Sequence, residues 1–272
     1  MSDAARLQQL AARLLARAHP PPPPGLVEFV IGGARVGDAQ PAVAQFIAQQ
    51  ISGFALKGAR LLMLDDTLDV AARTELLARV ARKLQEARLI VGWRDEVLSV
   101  GNPALASLER AACRALGITT EAVHLNAYVD ARSMLVARRA ALKQIDPGQW
   151  DNLVGGMVAA HETLHDALSR EAIEEAGLRI DGAALQKGRW FQMRRSVPEG
   201  VQSEIIHVYD TTLAADIRLQ NQDGEVDAIE CRPVDDVIAA IERDEFTLEA
   251  SLVVVESLTR RGGIDAPAGL FH

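Results

Sequence analysis

Acidic residues recur at helical spacing near the middle of the sequence. Glu171, Glu174 and Glu175 fall within one arc of a helix surface, because an α-helix turns about 100° per residue. Like charges at this spacing repel one another and destabilise the helix. A hard divalent cation, Mg²⁺ or Mn²⁺, prefers carboxylate oxygens and would relieve that repulsion. Taken alone, the same three acids are common and would favour a solvated acidic face on an ordinary surface helix.

The residues around these acids favour the metal site. Gly156, Glu162 and Arg170 precede them at fixed offsets, and a glycine pair at 155–156 lets the backbone pass close to a metal and expose a carbonyl. An apolar residue also stands at every fourth position beside the acids: Leu164, Leu168, Ala172 and Ala176. Such a helix buries one side and directs its acids into a cleft.

The stretch GMVAAHETLHDALSREAIEEAGL, residues 156–178, resembles the Nudix box. Every polar position of the box is matched at its spacing, and the one departure is Ala172, where Leu or Val is usual. The resemblance implies a strand–loop–helix and a hydrolase that uses a divalent metal to cleave a diphosphate.

The resemblance also implies a role for each polar position. The implied metal ligands are the carbonyl of Gly156 and the carboxylates of Glu171, Glu174 and Glu175. Glu162 is implied as a supporting acid, and Arg170 as the residue that orients the acids by ion pairing. Metal ions would clamp the diphosphate and lower the pKa of a bound water, and a carboxylate would accept the proton of that water.

The acid that accepts this proton is either a box glutamate or an acid on a distant loop. The loop candidates are Glu204, Asp223 and Glu225. The stretch QDGEV at 222–226 is similar to the loop that carries such an acid in Nudix enzymes, which favours Glu225. The same Asp-Gly pair is typical of an ordinary polar turn, so both interpretations stand.

Substrate contacts are expected just upstream of the box. Arg138, Arg139 and Lys143 could hold a diphosphate, or they could be solvent-exposed charges at the end of a strand. Trp150 could stack on a heteroaromatic ring, although packing in the core is the commoner fate of such a residue.

Segments outside the box carry a narrower resemblance. The stretches WRDEVLSV (93–100), HLNAYV (124–129), DPGQWDNL (146–153) and LTRRG (258–262) are similar to the Nudix subfamily related to the hydrolase portion of fungal thiamine pyrophosphokinase fusion proteins. This similarity implies cleavage of thiamine diphosphate, or of its damaged oxo and oxy forms, to the monophosphate and phosphate. No kinase motif accompanies it.

Three alternatives stay open beside this substrate. One is a Nudix pyrophosphatase on a nucleoside diphosphate derivative such as ADP-ribose, or on a nucleoside triphosphate. A second is isomerisation of isopentenyl diphosphate, disfavoured because no cysteine stands in the expected context. The third is a ligand sensor without turnover, disfavoured because such proteins usually lose the box acids.

The predicted fold class is α+β, with an α-β-α arrangement. A Nudix fold, a mixed sheet between helices, is expected at 120–272. A smaller α/β domain of unknown role is expected at 1–119, with an amphipathic helix at 3–18 and a proline-rich connector at 20–24.

Local patterns predict the remaining elements. Helices are predicted at 41–50, 69–86, 104–116, 163–176, 234–243 and 247–260. Strands are predicted at 26–31, 61–64, 188–194, 202–210 and 226–232, with a hairpin over 123–137 and two strands around a turn within 88–100.

Composition limits the function classes. The 272 residues carry a net charge of -8, which argues against a general nucleic-acid binder. No signal peptide and no segment apolar enough to span a bilayer is predicted. Cys113 and Cys231 have no metal-ligand spacing and fit a reducing cytoplasm. The expected partner is a small-molecule diphosphate, with neither nucleic acid nor membrane, and a homodimer is left open.

Overall fold

The computed structural model describes residues 3–143, 145–180 and 185–272. The first elements are α1 (Asp3–Ala18), β1 (Val27–Ile31), β2 (Ala34–Ala39), α2 (Pro41–Gln50), β3 (Phe54–Lys57), β4 (Arg60–Met63), α3 (Val70–Glu86), β5 (Val97–Val100), β6 (Ala106–Glu109) and α4 (Arg110–Leu116). The later elements are β7 (Thr119–Tyr128), β8 (Ser133–Arg139), β9 (Trp150–Asn152), β10 (Val154–Met157), α5 (Leu164–Ala176), β11 (Gln186–Val197), β12 (Gly200–Thr212), β13 (Val226–Pro233), α6 (Val234–Glu242) and α7 (Leu248–Arg261).

A seven-stranded mixed sheet organises the second half of the chain. Its order is β11-β12-β7-β8-β13, with β10 paired to β7 and β9 to β8. Strands β12 and β7 run parallel, whereas the other pairs are antiparallel. One apolar cluster packs α5 against one side of this sheet, and another packs α6 and α7 against the opposite side. The arrangement confirms the predicted α-β-α class.

The first half of the chain contains a smaller sheet and its own core. The strand order is β2-β1-β4-β3, and β5 pairs with β6 as a separate ribbon. Helices α2, α3 and α4 bury apolar residues in the cluster beneath these strands. Helix α3 begins where the Asp69 carboxylate accepts a hydrogen bond from the Ala72 amide, and α4 ends at Gly117, whose φ of 59° is left-handed.

Helix α1 packs away from the small sheet that follows it. Its buried face, Leu7, Leu10, Ala11 and Leu14, belongs to the cluster that contains α6 and α7. Arg6 also pairs with Glu242 of α6 at 2.6 Å. The helix was expected as part of the N-terminal domain, and it contributes instead to the core of the large sheet.

Two predictions near residue 100 were wrong. Only one strand, β5, forms within 88–100, and residues 106–109 form β6 rather than the first turn of a helix. All four residues of β6 are buried and pair with β5. Pairing and burial therefore override the helix-forming character of the sequence Leu-Ala-Ser-Leu-Glu. Strands β2 and β3 lay outside the predicted elements.

Candidate functional site

The acids of residues 156–178 lie on a strand–loop–helix. Strand β10 pairs with β7 and carries Gly155 and Gly156. Helix α5 begins after Thr163, whose side chain and that of Asp166 bond each other's backbone amides in a capping box. The helix ends at Gly177, with φ 62°. These local signals fix where the acidic face of α5 starts and stops.

Arg170 joins the acids of this helix into one network. Its Nε donates to Glu162 Oε1 at 2.8 Å, and its Nη1 donates to Glu171 Oε1 at 2.7 Å and Glu174 Oε2 at 3.2 Å. Its Nη2 donates to the carbonyl of Met157 at 3.1 Å and to Glu162 Oε2. These bonds hold the pKa of Glu162 below its usual value. One guanidinium thus fixes three carboxylates and ties the helix to β10.

The backbone of β10 lies directly against two of these carboxylates. The Gly155 amide donates to Glu175 Oε2 at 2.9 Å. A Cβ added to Gly156 would overlap the carboxylate of Glu171. Only glycine at position 156 leaves room for that carboxylate.

Burial sets the protonation of these two acids. Desolvation and the nearby charge of Glu171 raise the pKa of Glu175 to about 8. Desolvation also raises the pKa of Glu171, although Arg170 opposes the shift. Glu174 is different because 44% of its side chain is exposed. Two acids therefore lie within the fold and one lies at its surface.

The donor set fits a hard divalent cation in its chemistry. Carboxylate oxygens of α5 face the backbone of β10, and the space beside Gly156 would be filled by any Cβ. A cation would offset the repulsion that raises the pKa of Glu175. In the part of the chain that the structure describes, no three acidic, histidine or cysteine side chains already stand together in cation-binding geometry. Arg170 takes the place of the counter-charge in this arrangement.

Comparison with known families agrees with this geometry. Residues 120–251 match the model of the NUDIX domain. Residues 120–251 are a Nudix domain. Residues 24–120 match a second model, a domain of unknown function (DUF4743).

The similarity between this chain and known proteins extends beyond the Nudix domain. An uncharacterised protein of Saccharomyces cerevisiae is 30% identical over 72% of this chain and 64% of its own length. A protein of Arabidopsis thaliana named Nudix hydrolase 20, chloroplastic, is 32% identical over 71% of this chain and 54% of its own length. The chain therefore spans about half to two thirds of the length of these relatives.

The Nudix domain of NrtR from Shewanella oneidensis, solved with ADP ribose, aligns with a TM-score of 0.42 at 16% identity. The alignment covers 53% of this chain and 87% of that one. No helix among the described residues is both long and apolar enough to cross a membrane.

Two charged residues that were predicted to act at the site, one upstream and one downstream of the Nudix box in sequence, contact each other in the structure. Lys143 forms an ion pair with Glu225, which lies just before β13. Desolvation lowers the pKa of Lys143, and the charge of Glu175 opposes that shift. Lys143 therefore links Glu225 to the buried end of the acidic network.

The two neighbouring arginines expected to bind substrate diverge. Arg139 pairs with Asp151 at 3.0 Å and lines a cleft beside Gly155 and Gly156. Arg138 donates to the carbonyl of Gly148 and lies over the ring of Trp150. Neither Arg138 nor Trp150 is among the residues that line this cleft. Adjacent residues of a strand point to opposite faces, which explains the divergence.

A cleft of about 200 Å³ opens beside Gly155 and Gly156 of the Nudix domain. Its other wall comes from the first half of the chain and includes Arg94, Arg110 and Arg114. Sequence reasoning missed these arginines, although the spacing of Arg110 and Arg114 by four residues places them on one face of α4.

The first half of the chain also contacts the loop of the Nudix box. The Ala160 amide donates to the carbonyl of Val97 at 2.8 Å, and Leu98 forms a β-bridge with Ala159. Glu96, which pairs with Arg110 at 2.7 Å, contributes to the raised pKa of Glu171. The region of unknown role therefore borders the acidic site directly.

Glu204 is not the loop acid that the sequence suggested. It lies inside β12, pairs in register with Thr120 and lines the cleft. The signal available in the sequence was the alternation of Gln202 and Glu204 with smaller or apolar residues, which places both on one face of a strand.

Proposed function

We propose that this chain is a metal-dependent hydrolase that cleaves the diphosphate linkage of a small organic diphosphate to the monophosphate and phosphate. The observation that carries the proposal is the network in which Arg170 holds Glu162, Glu171 and Glu174 beside the glycine backbone of β10. On an acidic helix face that is merely solvated, the carboxylates would point into water. Here they pack instead against a strand at a position where no Cβ fits.

The proposed metal ligands are the carbonyl of Gly156 and the carboxylates of Glu171, Glu174 and Glu175. A divalent cation bound there would neutralise charge on the diphosphate and lower the pKa of a bound water. Arg170 orients the acids, and Glu162 holds Arg170 from the other side. The proposed role of Arg170 is thus positional, since its donors are taken up by the protein.

Glu225 is the proposed acceptor of the proton of the attacking water. Its ion pair with Lys143 brings it toward the neighbourhood of Glu175, and 40% of its side chain is exposed to receive substrate and solvent. A box glutamate is the alternative acceptor.

The proposed substrate is thiamine diphosphate or one of its damaged oxo and oxy forms. Support comes from the segments at 93–100 and 146–153 that carry the narrower resemblance, because both supply residues to the cleft beside the acids. In this proposal Arg139 contacts the diphosphate from within the cleft. Arg138 and Trp150 would act only through the structure of strands β8 and β9.

The decisive test is product release by the purified protein in Mg²⁺, followed by chromatography of the organic products, because cleavage of ADP-ribose yields AMP and ribose 5-phosphate without inorganic phosphate. The substrate panel is thiamine diphosphate, oxothiamine diphosphate, ADP-ribose, a nucleoside triphosphate and isopentenyl diphosphate. We expect metal-dependent release, abolished by EDTA, that is fastest from a thiamine-type compound. Turnover of ADP-ribose alone would contradict the thiamine assignment. Tight ligand binding without release from any compound would point to a sensor and overturn the hydrolase itself.

A further inference from the structure

The cleft beside the Nudix box has a wall that the box does not supply. Its arginines, Arg94, Arg110 and Arg114, come from the first half of the chain, and Gly155 and Gly156 come from β10. A diphosphate at the acids of α5 would therefore extend its organic group into a space bounded by both halves of the chain.

The far side of this cleft contains a buried carboxylate. Glu204 is only 8% exposed, and its Oε2 accepts a hydrogen bond from Gln202 at 3.0 Å. Its second oxygen, Oε1, has no hydrogen-bond partner among the described residues, and the residue lines the cleft. A carboxylate oxygen that faces a cleft without a protein donor can accept a hydrogen bond from a donor on a ligand.

A second carboxylate shares the same donor. Gln202 also donates to Glu249 Oε1 at 2.9 Å, through the nitrogen that serves Glu204. The other oxygen of Glu249 is buried and lacks a hydrogen-bond partner within the described chain. Asp146 lines the same cleft, and desolvation together with the charge of Glu249 raises its pKa. Arg195 also pairs with Glu249 Oε1, at 3.4 Å, so the unmet acceptor among the described residues here is Glu249 Oε2.

The sheet register gives the span between this carboxylate and the Nudix box. Glu204 pairs with Thr120 of β7, while Gly155 pairs with His124 on the other edge of the same strand. The two residues therefore lie two strand spacings apart, roughly 9.6 Å across the sheet, and the four-residue offset between Thr120 and His124 adds roughly 13 Å along it, so their direct separation is about 16 Å. Such a separation leaves room for the diphosphate and the ring of one substrate at opposite ends of the cleft.

We propose that Glu204 and Glu249 form the binding site for the organic group of the substrate, and that they select a heterocycle with N–H donors. This inference rests on the proposed hydrolase function and names the class of its substrate. A hydrocarbon tail at the same place would leave both carboxylates desolvated without a donor, so an isoprenoid diphosphate is disfavoured. Arg94 and Arg110, which line the cleft from the first half of the chain, would face the diphosphate end of the substrate.

The test measures binding of the organic group without its diphosphate. Titration calorimetry in Mg²⁺ buffer would compare thiamine, adenosine and the hydrocarbon alcohol isopentenol. The variants are Glu204→Gln and Glu249→Gln, with Glu230→Gln on the exposed face of β13 as the matched control. Each variant's fold is checked by its thermal unfolding curve.

We expect thiamine or adenosine to bind the wild-type protein more tightly than isopentenol does. The Kd of that heterocycle should rise about tenfold or more in Glu204→Gln and Glu249→Gln, because a hydrogen bond to a charged group is replaced by a neutral one. Glu230→Gln should bind as the wild type does. With diphosphate substrates, kcat/KM should fall further for the heterocyclic compound than for methyl diphosphate.

Two results would overturn the inference. One is a folded Glu204→Gln variant with unchanged affinity for the heterocycle, and the other is isopentenol binding as tightly as thiamine and adenosine. Failure of the hydrolase function has a different signature. In that case no diphosphate is cleaved, yet heterocycle binding still depends on Glu204.

Discussion

At the scale of single residues, Arg170 is the organising side chain. Its guanidinium donates to two carboxylates on its own helix, to Glu162 on the preceding loop and to the carbonyl of Met157. Such charge-assisted bonds raise the pKa of Arg170 further above its ordinary value. Because Glu162, Glu171 and Glu174 all contact this one group, these three acids keep a fixed geometry before any ligand arrives.

Glu174→Gln separates metal binding from folding. The side chain is 44% exposed and packs little, so the free energy of unfolding should change by less than about 1 kcal/mol. Removing a proposed metal ligand should lower kcat by more than about 100-fold in Mg²⁺. Steady-state kinetics and chemical denaturation measure the two effects. Unchanged activity would place the metal elsewhere, and Glu230→Gln is the control.

Gly156→Ala tests the close approach of β10 to Glu171. The new methyl group would overlap the Glu171 carboxylate, so either the strand or the acid must move. We expect activity to be lost and the free energy of unfolding to fall by about 1–3 kcal/mol, as for other overpacked sites. Gly58→Ala has open space and only a left-handed φ of 58°, so it should keep full activity. Full activity in Gly156→Ala would refute the proposed geometry.

Glu225→Gln tests the proposed proton acceptor. If Glu225 accepts the proton, kcat should fall by about 100-fold or more with KM nearly constant. Lys143→Met removes the ion-pair partner and leaves the acid in place. A small effect of Glu225→Gln beside a large effect of Lys143→Met would assign the proton to a box glutamate instead.

At the scale of secondary structure, the site depends on where α5 begins. The capping box of Thr163 and Asp166 fixes the first turn, and Glu162 stands immediately before it. The loop before that cap is held by the amide of Ala160 on the carbonyl of Val97 in β5. The position of the box acids is therefore shared between a local cap and a contact with the first half of the chain.

Thr163→Ala should loosen the first turn of α5. Loss of the side-chain acceptor should lower the free energy of unfolding by about 1 kcal/mol. Thr163→Ser keeps the hydroxyl and should restore most of that stability. Urea denaturation of the three proteins measures the difference. Equal stability of the alanine and serine variants would show that the cap contributes nothing.

At the scale of the whole molecule, the two halves of the chain are interdependent. Helix α1 completes the core around α6 and α7, while α4 and β5 border the cleft and the Nudix-box loop. The region that matches a domain of unknown function thus contributes a wall to the cleft. We propose that residues 24–120 set the shape of the substrate site.

The buried acid of that cleft makes a prediction about stability and pH. Burial, together with the charge of Glu249, raises the pKa of Glu204 above its ordinary value of 4.5. Above pH 4.5 the unfolded chain releases this proton before the folded chain does, so stability falls as the pH rises toward the folded pKa. Glu204→Gln should flatten this part of the pH profile in thermal unfolding, whereas Glu230→Gln should not. Parallel profiles for wild type and Glu204→Gln would show that the carboxylate is ionised throughout.

The sequence by itself determined the elements whose signals are local. The offsets of Gly156, Glu162, Arg170 and Glu171 predicted the strand–loop–helix and its acidic face, because helix periodicity and capping act over a few residues. Most helices and strands followed from the same patterns.

Only the tertiary structure decided which distant groups meet. The strand at 106–109, the packing of α1 on α7 and the position of Glu204 in the cleft all depend on contacts between segments far apart in sequence. Burial of such groups depends on the assembled core, so it cannot be predicted from the propensity of one segment or from residue spacing along it. The Nudix box defines the proposed chemistry, and the assembled cleft defines the proposed choice of substrate.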